Sequence, residues 1–532
     1  MSEKSLLFVL DAQMPFVRHP DMPGSAEEAQ LFTVLSDTWL PLLRSCTSLE
    51  TEGIPFRFAL SISPTLCEML DDPLLQSRYV EHLDKSIEFG ISELERHAGS
   101  PEEREAIKHH LDRFQADRRD FTETYERNIL AKIDYFALRG HIEILATTAT
   151  SCFMPLYADI PEALNAQIET GLTTYRRHFS STPSGFWLPA MAWFPGCEHL
   201  LRSYGFQYTF VDAHALLFAD PIPGTGVYSP VSCENGFAVF ARDTVSCRKI
   251  TGGGDAPGYP HSVNYLDMDR DIGFELDEGT LSTLFDVHLG RRQTGFRYWG
   301  RTLSESEGAL VYRIDRAFAQ VESDSADFVE HAAAVLSRAS DIREGEPVSM
   351  VCALPLHFLG QSWQEGVSWL DTTLRKVCAD PRVSLELPVS CVGDRHSLVR
   401  AEPRFSSWLP GGYAEEVLNS SNDWIYRFVR KATLRMIDLA ERFPDDTGLK
   451  ERALNMAARE LLLAQSMHWA LMMNETDRCE YAKKRFEESV RAFTMVYESL
   501  GSNFISTEWL TTTEKRDNLF PDINYRVFSR KK

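Results

Sequence analysis

The 532-residue chain is 43% hydrophobic and 25% charged, with a formal net charge of −22, so it reads as a folded protein too long for a single core, and not as a disordered one. That charge repels nucleic-acid phosphates and anionic lipid head groups, whereas a neutral polysaccharide is indifferent to it. No apolar run approaches the roughly 18 to 20 residues of a membrane span, and Leu6 to Leu10 is too short for a secretory signal; a cytoplasmic chain without membrane or nucleic-acid partners is expected.

Short apolar runs recur along the chain between helical stretches: residues 5–10, 56–62, 142–146, 185–188, 208–211, 237–240 and 348–353. Strand-length runs separated by long helical connections imply parallel strands covered on both faces. In barrels of this kind the residues just beyond the strands form the functional face, and Asp11, Gln13, Ser151, Ala190, Asp212, Asp243 and Pro355 fall there. Residues 83–130 are densely charged with helical spacing and read as a helical insert, with Ser100 placed to cap a helix whose first residue is Pro101. His109 and His110 fall in that insert, on what reads as a solvated face. Residues 222–305 are rich in Gly and polar groups, and a loop of that length is usually a binding loop or lid. From about 411 onward the spacing is helical, with Ala457, Leu461, Ala464 and Trp469 on one stripe. The expected division is a barrel over 1–82 and 131–400 with a loop insertion at 222–345, the insert at 83–130, and a helical domain over 401–532.

The ten cysteines include no C-x-x-C pair and mostly sit in apolar runs, which suggests reduced, packed thiols. No metal-ligand spacing is evident, the Gly252–Gly254 run lacks the Lys-Ser/Thr of a phosphate loop, and no metal or cofactor is expected.

Several segments carry more. LDAQMPFVRHP at 10–20, ATTATSCFMP at 146–155, GFWLPAMAWFPG at 185–196, DIGF at 271–274 with Tyr298, FSSW at 405–408, LNSSNDWIYR at 418–427 and RALNMAARELLLAQS at 452–466 occur in this order. Together they resemble glycoside hydrolase family 57, most closely its α-1,4-glucan branching enzymes. The resemblance implies a (β/α)7 barrel with an inserted helical subdomain and a C-terminal all-helical domain, hence an α/β fold. It also implies retaining transfer between α-glucans by a Glu nucleophile after the fourth strand and an Asp acid/base after the seventh.

This chain departs from the family at those points. The family's G-[LF]-W-L-P-E-C-A-Y-x-P-G run has its Glu where Ala190 stands, and D-T-E-L-F-G-H-W-W aligns with PLHFLGQSW at 355–363, so that Pro355 replaces the Asp. Ala353 and His357 are the alternative counterparts, and neither is a carboxylate. The paired histidines after the first strand are Asp11 and Gln13, the His after the third is Ser151, the Glu of W-L-F-E-A is Thr33, and two tryptophans of G-Y-W-E-V-W-L-N are Ala414 and Val417. Retaining glycosidic chemistry needs two carboxyl groups about 5 to 5.5 Å apart, so family-type catalysis is expected to be absent.

Candidates for a residual pocket are Asp11, Asp212, His214, Asp243 and Arg270, the ring faces of Trp193, Trp363 and Trp408, and the amide of Gln465. Core packing is the competing explanation for the tryptophans, least so for Trp408. The favoured reading is a saccharide-binding or regulatory pseudoenzyme whose ligand is an α-glucan, a smaller saccharide or a protein partner. An active glycosyl hydrolase or glucanotransferase with a rebuilt carboxylate site, using Asp11, Asp212, Asp243 or Glu365, is the alternative, and a protein-interaction scaffold the second.

Overall fold

A computed structural model describes residues 4–253, 257–285, 290–302, 310–393, 398–502 and 504–531. Seven parallel strands follow the seven apolar runs: β1 (Lys4–Ala12), β2 (Phe58–Ile62), β3 (Ile142–Leu145), β4 (Gly185–Phe186), β5 (Tyr208–Val211), β6 (Ala238–Ala241) and β7 (Val348–Pro355). β1 pairs with β2 and β7, β2 with β3, β4 with β5, and β5 with β6. Two single parallel bridges join the ends of these sets, Ala146 with Phe186 and Arg242 with Val351, so the sheet closes into a (β/α)7 barrel. Backbone hydrogen bonds secure both seams: Trp187 N–H donates to Ala146 O at 2.7 Å, and Asp243 N–H to Val351 O at 2.9 Å.

Period-two alternation divides the strand side chains into two cores. Leu7, Val9, Ala59, Leu145, Tyr208, Phe210, Ala238, Phe240, Val351 and Ala353 fill the barrel interior, while Leu6, Phe8, Leu10, Phe58, Leu60, Met350, Cys352 and Leu354 face the surrounding helices. Gly185 shows how tight that interior is. A Cβ at Gly185 would sit 2.4 Å from a ring carbon of Tyr208.

The charged helices expected over 83–130 are α1 (Pro73–Arg96) and α2 (Pro101–Arg119), which pack side by side; the first begins ten residues earlier than the composition shift suggested. Asp72, followed by Pro73, caps α1 by accepting from Leu75 N–H at 3.0 Å. Pro101 opens α2 as expected, but the Ser100 side chain makes no capping bond. His110 is not on a solvated face. It is fully buried and its Nε2 pairs with Arg297 O at 2.8 Å, while His109 is half-buried beside Tyr312. Charge density hid this because α2 has a packed side: Ala106, Ile107, Leu111 and Phe114 are buried with His110.

What packs there is the segment expected as a lid. Asp271, fully buried, accepts from Gly273 N–H (2.9 Å), Thr294 N–H (2.8 Å), Thr294 O–H (2.8 Å) and Gly295 N–H (2.9 Å). Its Oδ2 also faces the buried guanidinium of Arg297 at 3.7 Å. Tyr298 O–H bonds Glu93 of α1 at 2.6 Å, and Leu266 N–H donates to the buried Glu365 at 3.2 Å. Most of the described part of 257–302 is therefore a packed layer; the described residues of the expected loop that reach the barrel mouth come earlier, from Arg242 through the short helix α3 (Thr244–Thr251) to Gly253. Gly254, Asp255 and Ala256 lie outside the described residues.

The C-terminal domain is helical, with α4 (Trp424–Arg442), α5 (Leu449–Ala464), α6 (Met467–Met472) and the long helix Cys479–Ser502. It docks on the barrel through a backbone bridge between Cys152 and Ser466 and through Met467 N–H donating to Ser151 O at 3.1 Å. Because Asp271 satisfies three backbone amides and faces a buried cation, Asp271→Ala is expected to cost about 3 kcal/mol or more, measured as a lower urea midpoint.

Candidate functional site

The C-terminal mouth of the barrel has an open half and a closed half. The open half is a cavity of about 1060 Å³ whose wall includes Asp212, His214, Arg242, Arg248, Pro355 and Trp408. Alternation places Asp212 and Arg242 inward, two residues beyond Phe210 and Phe240. Arg242 clamps the Asp212 carboxylate with both arms of its guanidinium, Nη2–Oδ2 at 2.8 Å and Nε–Oδ1 at 3.2 Å. Ala213 N–H and Thr244 O–H donate to the same carboxylate at 2.6 and 3.0 Å. Burial alone would push this carboxyl up, but Arg242 and the hydrogen bonds hold it below the usual carboxylate range. His214 Nε2 meets Gly412 O at 2.8 Å, and its ring stands edge-on to Tyr413, which fixes the loop at 409–412 as part of the wall.

Trp408 separates the two halves. Its indole lies edge-on to Trp187 at 5.2 Å and under the Arg242 guanidinium at 5.5 Å. Its backbone N–H donates to Ala190 O at 2.9 Å. Ala190 is fully buried and held at φ 57°, ψ 19°, with Met191 (φ 51°) beside it. Left-handed geometry in two successive residues with side chains costs about 1 to 2 kcal/mol each. Ser151, also buried, has φ 54°.

In the closed half, Asp11 lies opposite Pro355 and Ser61 in strand register. Gln13 Nε2 donates to its Oδ1 at 3.0 Å, and the Ser61 and Trp187 side chains also turn to it. Burial dominates these bonds and pushes the Asp11 carboxyl up to about 7. The same rim carries buried polar atoms with no hydrogen-bond partner: Gln13 Oε1, Ser151 Oγ, His357 Nε2 and His468 Nε2. Burial pushes both imidazoles down to about 4, so they are neutral at pH 7.

Other candidates sit elsewhere. Asp243 is buried and caps α3, accepting from Val245 N–H at 3.2 Å and Ser246 O–H at 2.5 Å. Trp193 is core, its Nε1–H donating to Pro403 O at 3.2 Å. Trp363 is core too, packed against Tyr265 and Trp369. Arg270 pairs with Glu275 at 3.0 Å and covers Trp299, outside the cavity wall. Gln465 lies in the domain seam, buried between Gln167 (2.9 Å) and Thr433 (3.1 Å). Sequence reasoning missed Arg242, whose signal was the inward parity of 238, 240 and 242; it also missed His468, which had none. Among the described residues no group of three or more His, Cys, Asp or Glu side chains can hold a metal ion.

A model of glycosyl hydrolase family 57 matches residues 7–251, and one for the C-terminal part of 1,4-alpha-glucan branching enzyme matches 429–528. The alpha-amylase AmyC of Thermotoga maritima is 33% identical, covers 100% of both chains and superposes with a TM-score of 0.92. The chain belongs to glycosyl hydrolase family 57. Family 57 branching enzymes are further relatives. That of Pyrococcus horikoshii is 25% identical over 99% of this chain and 97% of its own, with a TM-score of 0.87. A 1,4-alpha-glucan branching enzyme of Thermococcus kodakarensis is 26% identical over 97% of this chain and 77% of its own. Among the described residues no helix is long and apolar enough to cross a membrane.

Asp11 makes stability depend on pH. Its folded value of about 7 lies above the ordinary 3.8, so between these the folded chain keeps a proton that the unfolded chain has released. The contribution is fully present below about pH 4 and lost as pH rises through 7, on the order of a few kcal/mol. Asp11→Asn is therefore expected to match the unaltered chain near pH 4 and to exceed its stability at pH 8, as seen by urea unfolding at both pH values.

Proposed function

We propose that this family 57 chain binds an α-glucan or a smaller saccharide at the barrel mouth without cleaving it. The observation that carries this reading is the state of Asp212. It is the one carboxyl among the described residues of the cavity wall, and a bidentate Arg242 holds it ionised with its lone pairs occupied. Such a group is a poor proton donor and a hindered nucleophile. At the two positions where the family resemblance puts catalytic carboxyl groups, Ala190 is sealed beneath Trp408 and Pro355 lines the wall. Neither can attack an anomeric carbon or give up a proton. The ligand class is supported by the relatives, an alpha-amylase and branching enzymes by name. The wall itself offers the Trp408 ring for a pyranose face and Thr244, His214 and Arg248 for hydroxyl groups. Ten free thiols fit a reducing compartment, the cytoplasm.

A rebuilt enzyme is the second reading, and one observation favours it: a carboxyl of pKa about 7 at Asp11 is poised for acid/base work near neutrality. It counts for less than Asp212, because Asp11 is buried outside the cavity wall.

Calorimetric titration with maltoheptaose and amylose, with branching and reducing-end release followed on the same samples, tests this. Binding without turnover is expected, and Trp408→Ala is expected to weaken it about ten-fold, or ~1.4 kcal/mol. Turnover that Asp11→Asn abolishes would overturn the reading in favour of the rebuilt enzyme. Neither binding nor turnover would shift the role to a protein partner.

A further inference from the structure

α3 forms one wall of the cavity and lies against the outer face of β7. Ser246 Oγ lies 3.4 Å from Met350 Sδ, and the next residue, Cys247, directs its Sγ at Ala353 O, also at 3.4 Å. Ala353 follows Cys352 in the chain, and period-two alternation turns the Cys352 side chain outward from β7 toward the helix, so the two thiols are neighbours in the same core. Both thiols are free and buried, but their surroundings differ. Cys247 belongs to the cavity wall, together with Arg242 and Arg248, and Cys352 sits behind it with no exposure.

The geometry points to a peroxide-reactive dithiol at Cys247 and Cys352, with Cys247 as the attacking sulfur at the cavity wall and Cys352 as the resolving one. The hydrogen bond from Cys352, aided by Arg242, outweighs burial and lowers the Cys247 thiol, whereas burial pushes the Cys352 thiol up. The order of events follows from position, since Cys247 meets the cavity and Cys352 does not, and the lowered thiol is on the same sulfur. In the first step the Cys247 thiolate attacks one oxygen of a hydroperoxide, the O–O bond breaks, and the departing alkoxide or hydroxide takes up a proton; Cys247 becomes a sulfenic acid. In the second, the Cys352 sulfur attacks the Cys247 sulfur, an S–S bond forms and water leaves with the Cys352 proton. In sum, two thiols are oxidised to a disulfide while one hydroperoxide is reduced to an alcohol, or to water when it is hydrogen peroxide, with one further water released. The new bond ties α3 to β7, and with α3 the cavity-wall residues Arg248 and Thr251.

The test is peptide mapping of the full-length chain after hydrogen peroxide treatment, with free thiols blocked before digestion and no reductant present. The expected result is a linked pair of peptides containing Cys247 and Cys352, loss of two titratable thiols, and recovery of both with dithiothreitol. Cys247 is expected to react at least about ten-fold faster than Cys46 or Cys67, whose thiols burial pushes up. Cys352→Ser is expected to halt at a sulfenic acid on Cys247 that dimedone traps. Recovery of Cys247 and Cys352 as separate blocked peptides, with oxidation confined to the half-buried Cys378, Cys391 and Cys479, would overturn the proposal. The mapping of the unaltered chain decides this even where the variant does not fold.

Discussion

Ring closure is the constraint on which the molecule depends. Seven parallel strands leave no free edge only because two seams, each a single bridge at Ala146–Phe186 and Arg242–Val351, complete the circle. Once the ring is closed, strand periodicity decides which side chain of each strand faces the axis. The mouth inherits its chemistry from that parity: Asp11, Ser61, Asp212 and Arg242 each stand two residues beyond an interior apolar side chain. One of the closing bridges is made by Arg242 itself, so the residue that completes the barrel also neutralises Asp212.

This double role fixes the charge state of the open half of the mouth. A glycosidic site needs a carboxyl pair free to exchange roles. Here the carboxyl in the cavity wall is tied to a cation, and the other, Asp11, lies in the closed half with its pKa raised by burial. Trp408 keeps the halves apart, packed on Trp187 and anchored to the backbone of Ala190. The residues beneath it, Ala190 and Met191, hold left-handed backbone geometry, which costs free energy in residues with side chains.

Around the barrel, burial of polar groups does the positioning. Asp271 organises the segment after α3 by gathering amides and facing Arg297, and that segment in turn rests on α1 and α2. The C-terminal domain is joined to the barrel through Gln167, Gln465 and the Ser151 loop. Buried networks of this kind demand full satisfaction, which makes them specific as well as costly to break.

The barrel, the C-terminal helices and the family were legible in the sequence, because each rests on a pattern local to the chain: strand-length apolar runs, helical stripes, and motifs such as GFWLP at 185–189. The absence of a carboxyl at Ala190 and Pro355 was legible for the same reason. Which polar residues face the cavity was not. Asp243 and Asp212 both follow a strand and cap the helix after it, yet only Asp212 of the two meets the cavity. Trp193, Trp363 and Trp408 are chemically alike, and only packing separates two core rings from one at the mouth. His110 reads as solvated until Arg297, 187 residues away, covers it. Sequence alone determined the strands, the helices and the residue types at the mouth, since those follow from nearest-neighbour chemistry and periodicity. The tertiary structure decided their partners, Arg242 for Asp212 and Cys352 for Cys247, because burial and charge pairing are properties of space, set by segments far apart in the chain.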